Sequence, residues 1–259
     1  KALRYTQLSK QVGIEIERRK QLHSYVEDLK GKVRVFVRLR PLSDAEARRG
    51  ARPAAERTAA TTITVKLPAG DDGKPGDDKH FDVDRVFADG GGDGPGNAQT
   101  DVWGEVRQLV LSCVDGTNAC VFAYGQTGSG KTYTMLGEAP GADAGGAAAG
   151  PAGDEPPPLP EHSGIAPRAA SEVFAVLRER EGLCECEVHA TMLELYCDQL
   201  RDLLAEKPKC GEKEAPLNVK LAQHTKSGLV EVDGATRTPV ADAAQLRALV
   251  AAATASRPT

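Results

Sequence analysis

No stretch of this sequence approaches the roughly 20 consecutive apolar residues that a membrane-spanning helix needs. Within these residues no helix is expected to span a bilayer. The N-terminus is charged and helical in pattern, with no apolar core followed by small residues, so no secretory signal is visible. Two closely spaced cysteine pairs, as a zinc site would need, are missing too. The six cysteines (Cys113, Cys120, Cys184, Cys186, Cys197 and Cys210) are scattered, which argues against a disulfide framework and against a zinc site. Cys184 and Cys186 lie two apart in a strand-like stretch and share one face, where a metal could touch both. Reduced thiols of a cytosolic protein are the expected state. No internal repeat is present.

What is there points to a folded, water-soluble enzyme-sized chain. The 259 residues are 40% hydrophobic and 27% charged, enough to bury a sizeable core. The net charge of -4 conceals patterning: basic residues dominate 30–52, whereas 71–93 holds eight aspartates. A solvated surface explains either run as well as a binding face does, so net charge identifies no partner.

Residues 1–30 read as a helix. Leu8, Val12, Glu15, Arg19, Leu22, Val26 and Leu29 follow an alternating four-three spacing, an imperfect heptad pattern suited to the end of a coiled coil. A single amphipathic helix docked on its own domain is the alternative, and Gly13 weakens the helix. At Gly31 the period switches. Strands are expected over 32–39, 61–67 and 80–87, and a helix over 100–113. The run 119–124 is wholly apolar, the pattern of a central strand buried on both faces. Between 137 and 163, 19 of 27 residues are Gly, Ala or Pro, a composition that predicts a disordered insertion. Further on, a helix is expected over 167–180, a strand over 186–196 and a short helix at 199–204. A hairpin-like pair at 217–219 and 229–232 and a final helix over 242–256 complete the reading.

Gly125, Gln126, Thr127, Gly128, Ser129, Gly130, Lys131 and Thr132 satisfy G-x-x-x-x-G-K-[ST]. Glycines let backbone amides turn inward around phosphate oxygens where side chains would collide. The helix that follows directs free amides and its dipole at the same anion. Lys131 is expected to neutralise the β- and γ-phosphates of ATP, and the Thr132 hydroxyl to hold Mg²⁺. An apolar strand before the loop and a helix after it are the context this motif requires.

Residues 115–135, which contain the loop, closely resemble the phosphate-loop region of kinesin motor domains. Arg38-Leu39-Arg40-Pro41 is similar to the family's R-x-R-P element, and 81–87 (FDVDRVF) to its strand before the first long helix. Gly164-Ile165-Ala166-Pro167-Arg168 resembles G-I-I-P-R. Met192 to Tyr196, followed by Asp202-Leu203-Leu204, resembles the family's strand and D-L-L segment, with Cys197 where asparagine is usual. The likeness covers about 31–259.

The resemblance implies an α/β P-loop NTPase with a central, mostly parallel sheet flanked by helices, incomplete here and preceded by a neck helix at 1–30. It implies that Arg38 and Pro41 flank the adenine and that Tyr133 lies against its other face. A coiled coil entering the motor from its N-terminus looks like the C-terminal-motor, minus-end-directed kinesins, and the neck wording is similar to the kinesin-like calmodulin-binding proteins. Expected partners are microtubules and a second copy through the neck, with neither membrane nor nucleic acid; the expected location is the cytoplasm, on the microtubule cytoskeleton. The family's N-x-x-S-S-R-S-H and D-L-A-G-S-E strings do not occur in these residues. Val230 to Asp233 has the look of an acidic strand, but Gly234 favours a hairpin. In the family the switch segments, several central strands and the microtubule-binding helices would follow residue 259, so this chain alone is expected to bind nucleotide without turning it over. The alternative is a non-hydrolysing, motor-derived module that binds nucleotide or dimerises.

Overall fold

The computed structural model describes residues 10–15, 18, 19, 21, 22, 25, 26, 29, 31, 33–68, 76–89, 96–138, 159–182, 185–205, 217–221, 223 and 230–255. Most of the low-complexity stretch expected to be disordered, 139–158, lies outside them. Where described, 10–29 is helical, and Val12, Leu22, Val26 and Leu29 are all exposed along it. The chain divides into two compact units, Lys1–Gly150 with Pro158–Ala169, and Pro151–Pro157 with Ala170–Thr259.

In the first unit, β1 (Phe36–Arg38) is followed by the short helix α1 (Asp44–Arg48). A capping box starts α1: the Ser43 hydroxyl accepts from the Glu46 amide, and the Glu46 carboxylate accepts from the Ser43 amide at 2.8 Å. The same carboxylate takes a 2.7 Å hydrogen bond from the Arg40 guanidinium. Arg40 first, and Ser43 after it, lower the Glu46 pKa to about 2. A depressed carboxylate stabilises the fold above its ordinary value of 4.5 and loses that contribution as pH falls towards 2. Protection of the α1 amides, taken relative to the unstructured exchange rate at each pH, is therefore expected to fall as pH drops between those two values, and unchanged protection there would contradict the pairing.

Next come β2 (Ala55–Arg57), β3 (Thr62–Val65) and β4 (Lys79–Asp82), which form an antiparallel sheet in that order. β5 (Arg85–Phe87) pairs in parallel with β1, with Arg38 opposite Phe87. The single strand expected over 80–87 is thus two strands in two sheets. Asp84 makes the break: its carboxylate accepts from the Val35 amide at 2.7 Å, and its amide donates to the Val35 carbonyl at 3.0 Å. Those bonds transfer the chain from β3 to β1.

α2 (Gln99–Val114) buries Val102, Val106 and Val110 at helical spacing. Val102 and Val106 join Phe87 and Ile165 in a core against which Phe36, Trp103 and Met135 pack. α3 (Lys131–Leu136) opens after the glycine-rich loop. The apolar run 119–124 corrects the expectation of a buried central strand. It pairs with no described strand, and Phe122 and Tyr124 are 81% and 90% exposed. A central strand is buried only when ladder neighbours and covering helices stand on both sides, and the described residues supply neither.

In the second unit, the core gathers Ala170 and Phe174 of α4 (Ile165–Glu179) with Val240 and Ala243. β6 (His189–Ala190) pairs with β11 (Thr238–Pro239), while β7 (Leu193–Tyr196) and β8 (Gln199–Asp202) form a hairpin. The hairpin replaces the short helix expected at 199–204. Asp202 fixes its end, accepting from the Leu204 amide at 2.9 Å and the Thr236 amide at 2.6 Å. Burial pushes the Asp202 carboxyl up, and hydrogen bonds from Thr236, Leu204 and Ala205 more than offset this. β9 (Asn218–Lys220) and β10 (Glu231–Asp233) are antiparallel, with Val219 opposite Val232, as the hairpin reading of Val230 to Asp233 requires. α5 (Ala243–Ala255) follows.

The β7–β8 turn has two non-glycine residues with positive φ, Cys197 at 48° and Asp198 at 61°. Both central residues of a type I′ turn need that conformation, which costs L-residues other than Asn and Asp, here Cys197, about 1–2 kcal/mol. Cys197→Asn is expected to raise stability by about 0.5–1 kcal/mol, read as a higher urea midpoint. A lowered midpoint would contradict the turn geometry.

Candidate nucleotide site

The glycine-rich loop is held by its own hydrogen bonds. Gly128 and Gly130 take φ of 79° and 96°, a region that a Cβ disfavours. The Ser129 amide donates to Gln126 O at 3.2 Å, and the Thr134 amide to Gly130 O at 2.9 Å, which commits the chain to α3. The Lys131 ammonium folds back over the loop, donating to the carbonyls of Gly125 at 2.9 Å and Gln126 at 2.8 Å. Its charge therefore sits over the loop, where a phosphate would need it. Thr127, Gly128 and Thr132 are exposed. Thr132 follows Lys131 in the first turn of α3, so its hydroxyl stands on the same short element as the ammonium.

The second half of the site centres on Arg38. Its guanidinium lies 5.1 Å from the centre of the Tyr133 ring, a cation–π contact joining the end of β1 to α3. Four hydrogen bonds fix its plane: Nε to Asn97 Oδ1 at 2.9 Å, one terminal nitrogen to Gln99 Oε1 at 3.1 Å and Thr134 Oγ1 at 3.0 Å, and the other to Asn97 O at 2.6 Å. Burial pushes the Arg38 pKa down, and the nearby Tyr133, Asp89 and Asp101 act in the opposite sense. Pro41 is exposed three residues further on.

The structure thus joins Arg38 to Tyr133 directly and links both to α3. Asn97, Gln99 and Thr134 belong to this arrangement and were not singled out from sequence. Their only advance sign is position: Asn97 and Gln99 stand at the start of α2, and Thr134 follows Tyr133. Among the described residues no group of three or more His, Cys, Asp or Glu side chains could hold a metal.

The kinesin motor-domain profile matches residues 38–259. The chain belongs to the kinesin motor-domain family. Kinesin-like protein KIN-14S of Arabidopsis thaliana is 33% identical over 90% of this chain and 26% of its own length. KIN-14G, from the same plant, is 37% identical over 74% of the chain and 17% of its own length. Protein claret segregational of Drosophila melanogaster is 34% identical over 93% of the chain and 30% of its own length. The chain therefore spans less than a third of each of these curated relatives. A solved KIF14 segment, with ADP in complex with a microtubule, is similar with a TM-score of 0.64 at 26% identity, covering 88% of this chain and 56% of that one. The fold is accordingly the α/β P-loop NTPase fold of kinesin motors.

Proposed function

We propose that this chain is the ATP-binding part of a microtubule motor that couples ATP hydrolysis to movement. The observation that carries the reading is the loop Gly125 to Thr132, with the Lys131 ammonium bonded to its Gly125 and Gln126 carbonyls and α3 starting at Lys131. Gly125, Gln126, Thr127, Gly128, Ser129 and Gly130 surround the phosphates through their backbone, and Lys131 neutralises charge on the β- and γ-groups. Mg²⁺, when bound, offsets phosphate charge, and the Thr132 hydroxyl is the protein oxygen suited to it. The remaining ligands would be phosphate oxygens and water, as is usual for this hard cation. Arg38 and Tyr133, packed on one another, form with Pro41 the adenine-binding side of this reading.

Relatives named KIN-14 and claret segregational support assignment to the C-terminal-motor class, hence minus-end-directed movement along microtubules in the cytoplasm. The domain division of this reading is a neck helix at 1–30 and motor sequence at 31–259. The neck's exposed Val12, Leu22, Val26 and Leu29 suit pairing with a second copy.

Turnover needs a γ-phosphate sensor, and neither family switch string lies within these residues. Nucleotide binding without microtubule-stimulated phosphate release is the expected outcome for the isolated chain. Release that rises with added microtubules would overturn that expectation, while absence of any nucleotide binding would overturn the motor reading.

A further inference from the structure

Gln99 is 4% exposed at the start of α2, although a glutamine side chain gains nothing from burial unless its amide is satisfied. Both ends are. Its Oε1 accepts from the Arg38 guanidinium at 3.1 Å, and its Nε2 donates to the Tyr133 carbonyl at 2.7 Å. A guanidinium only donates and a carbonyl only accepts, so these neighbours leave the amide one orientation. Gln99 therefore bridges the two members of the stacked pair.

Asn97, 8% exposed, completes the clasp from the other side. It takes two hydrogen bonds from Arg38, through Oδ1 and its carbonyl, and donates from Nδ2 to Leu39 O at 2.8 Å. Without Gln99, Arg38 keeps Asn97 and Thr134 as partners. Tyr133 then loses the side-chain bond that holds its backbone at a fixed distance from the guanidinium.

We propose that Gln99 is a positioning residue for nucleoside di- and triphosphates, which sets the Arg38–Tyr133 surface that receives the base. It does not touch the phosphates. This rests on the nucleotide reading above and adds to it a residue outside both the phosphate loop and the R-x-R-P element. Because the effect passes through the base-facing pair, it must appear with a nucleotide and vanish with a phosphate chain that has no base.

Calorimetric titration of the whole chain with ADP and, separately, with inorganic tripolyphosphate tests this, both with Mg²⁺ present. Gln99→Met keeps side-chain length and removes both hydrogen bonds. It is expected to weaken ADP about 10-fold, the effect of one or two lost bonds, and to change tripolyphosphate by less than about 2-fold. Gln99→Glu, which keeps an acceptor for Arg38, is expected to recover part of the ADP affinity. Equal weakening of both ligands, unchanged ADP binding, or no recovery with Gln99→Glu would each overturn the proposal. A parent chain that binds neither ligand overturns the nucleotide reading and this inference with it, whereas a parent that binds both separates the two.

Discussion

Lys131→Ala is expected to weaken ADP and tripolyphosphate alike by about 100-fold while lowering the unfolding midpoint only by what about 1 kcal/mol produces. The ammonium is the loop's own cation, and it now bonds only main-chain oxygens, at Gly125 and Gln126. A phosphate that displaces those carbonyls gains a charge-assisted contact, and removing one partner of such a contact costs about 2–5 kcal/mol. The fold loses two partly exposed hydrogen bonds to flexible carbonyls, worth about 1 kcal/mol together, because water replaces the ammonium there. Parallel titrations of parent and variant with tripolyphosphate read the effect without any contribution from the base. Affinity within about 3-fold of the parent would remove Lys131 from the phosphate site.

Phe87→Ala carries the largest expected cost to stability, about 4 kcal/mol. Phe87 is fully buried and meets Phe36 edge to face, with ring centres 6.1 Å apart, beside Val102, Val106 and Ile165. Such a loss is a large part of the roughly 5–15 kcal/mol that holds a domain folded. The site suffers with the core. Arg38 lies opposite Phe87 in the β1–β5 ladder, and the Leu39 amide donates to Phe87 O at 2.9 Å, so collapse of this corner displaces the guanidinium. Urea unfolding reads the loss, and a cost below about 1 kcal/mol would contradict the assigned core.

The features legible in the sequence were those whose cause is local. Valines at helical spacing announced α2, whose observed bounds lie within one residue of the expected ones at each end. The phosphate-loop glycines announced a turn that only their φ range permits, and Gly234 separated β10 from the reading as an acidic strand. Two features depended on distant partners and a third on an unmarked turn, and none was legible. The strand 80–87 divides because Asp84 reaches Val35, 49 residues away. The run 119–124 has the composition of a central strand, but burial depends on neighbours that a run of six residues cannot declare. The β7–β8 hairpin turns through Cys197 and Asp198, where the usual glycine or asparagine signal is missing, so the apolar residues before Asp202 read as helix instead.

The site divides in the same way. Gly125 to Thr132 could be named from eight consecutive residues, because the phosphate cradle is built from backbone that the motif itself shapes. Arg38 and Tyr133 were named only through the resemblance, on opposite faces of an adenine. The structure sets them against each other and supplies Asn97, Gln99 and Thr134, 59 to 96 residues from Arg38, as the groups that hold the pair. No periodicity encodes a contact at that separation.

Titration of the unsubstituted chain with ADP in the presence of Mg²⁺ tests the central claim most directly. The account predicts saturable binding of one ADP per chain, displaced by tripolyphosphate. Heats that stay linear up to millimolar ADP, or binding that tripolyphosphate does not displace, would contradict it.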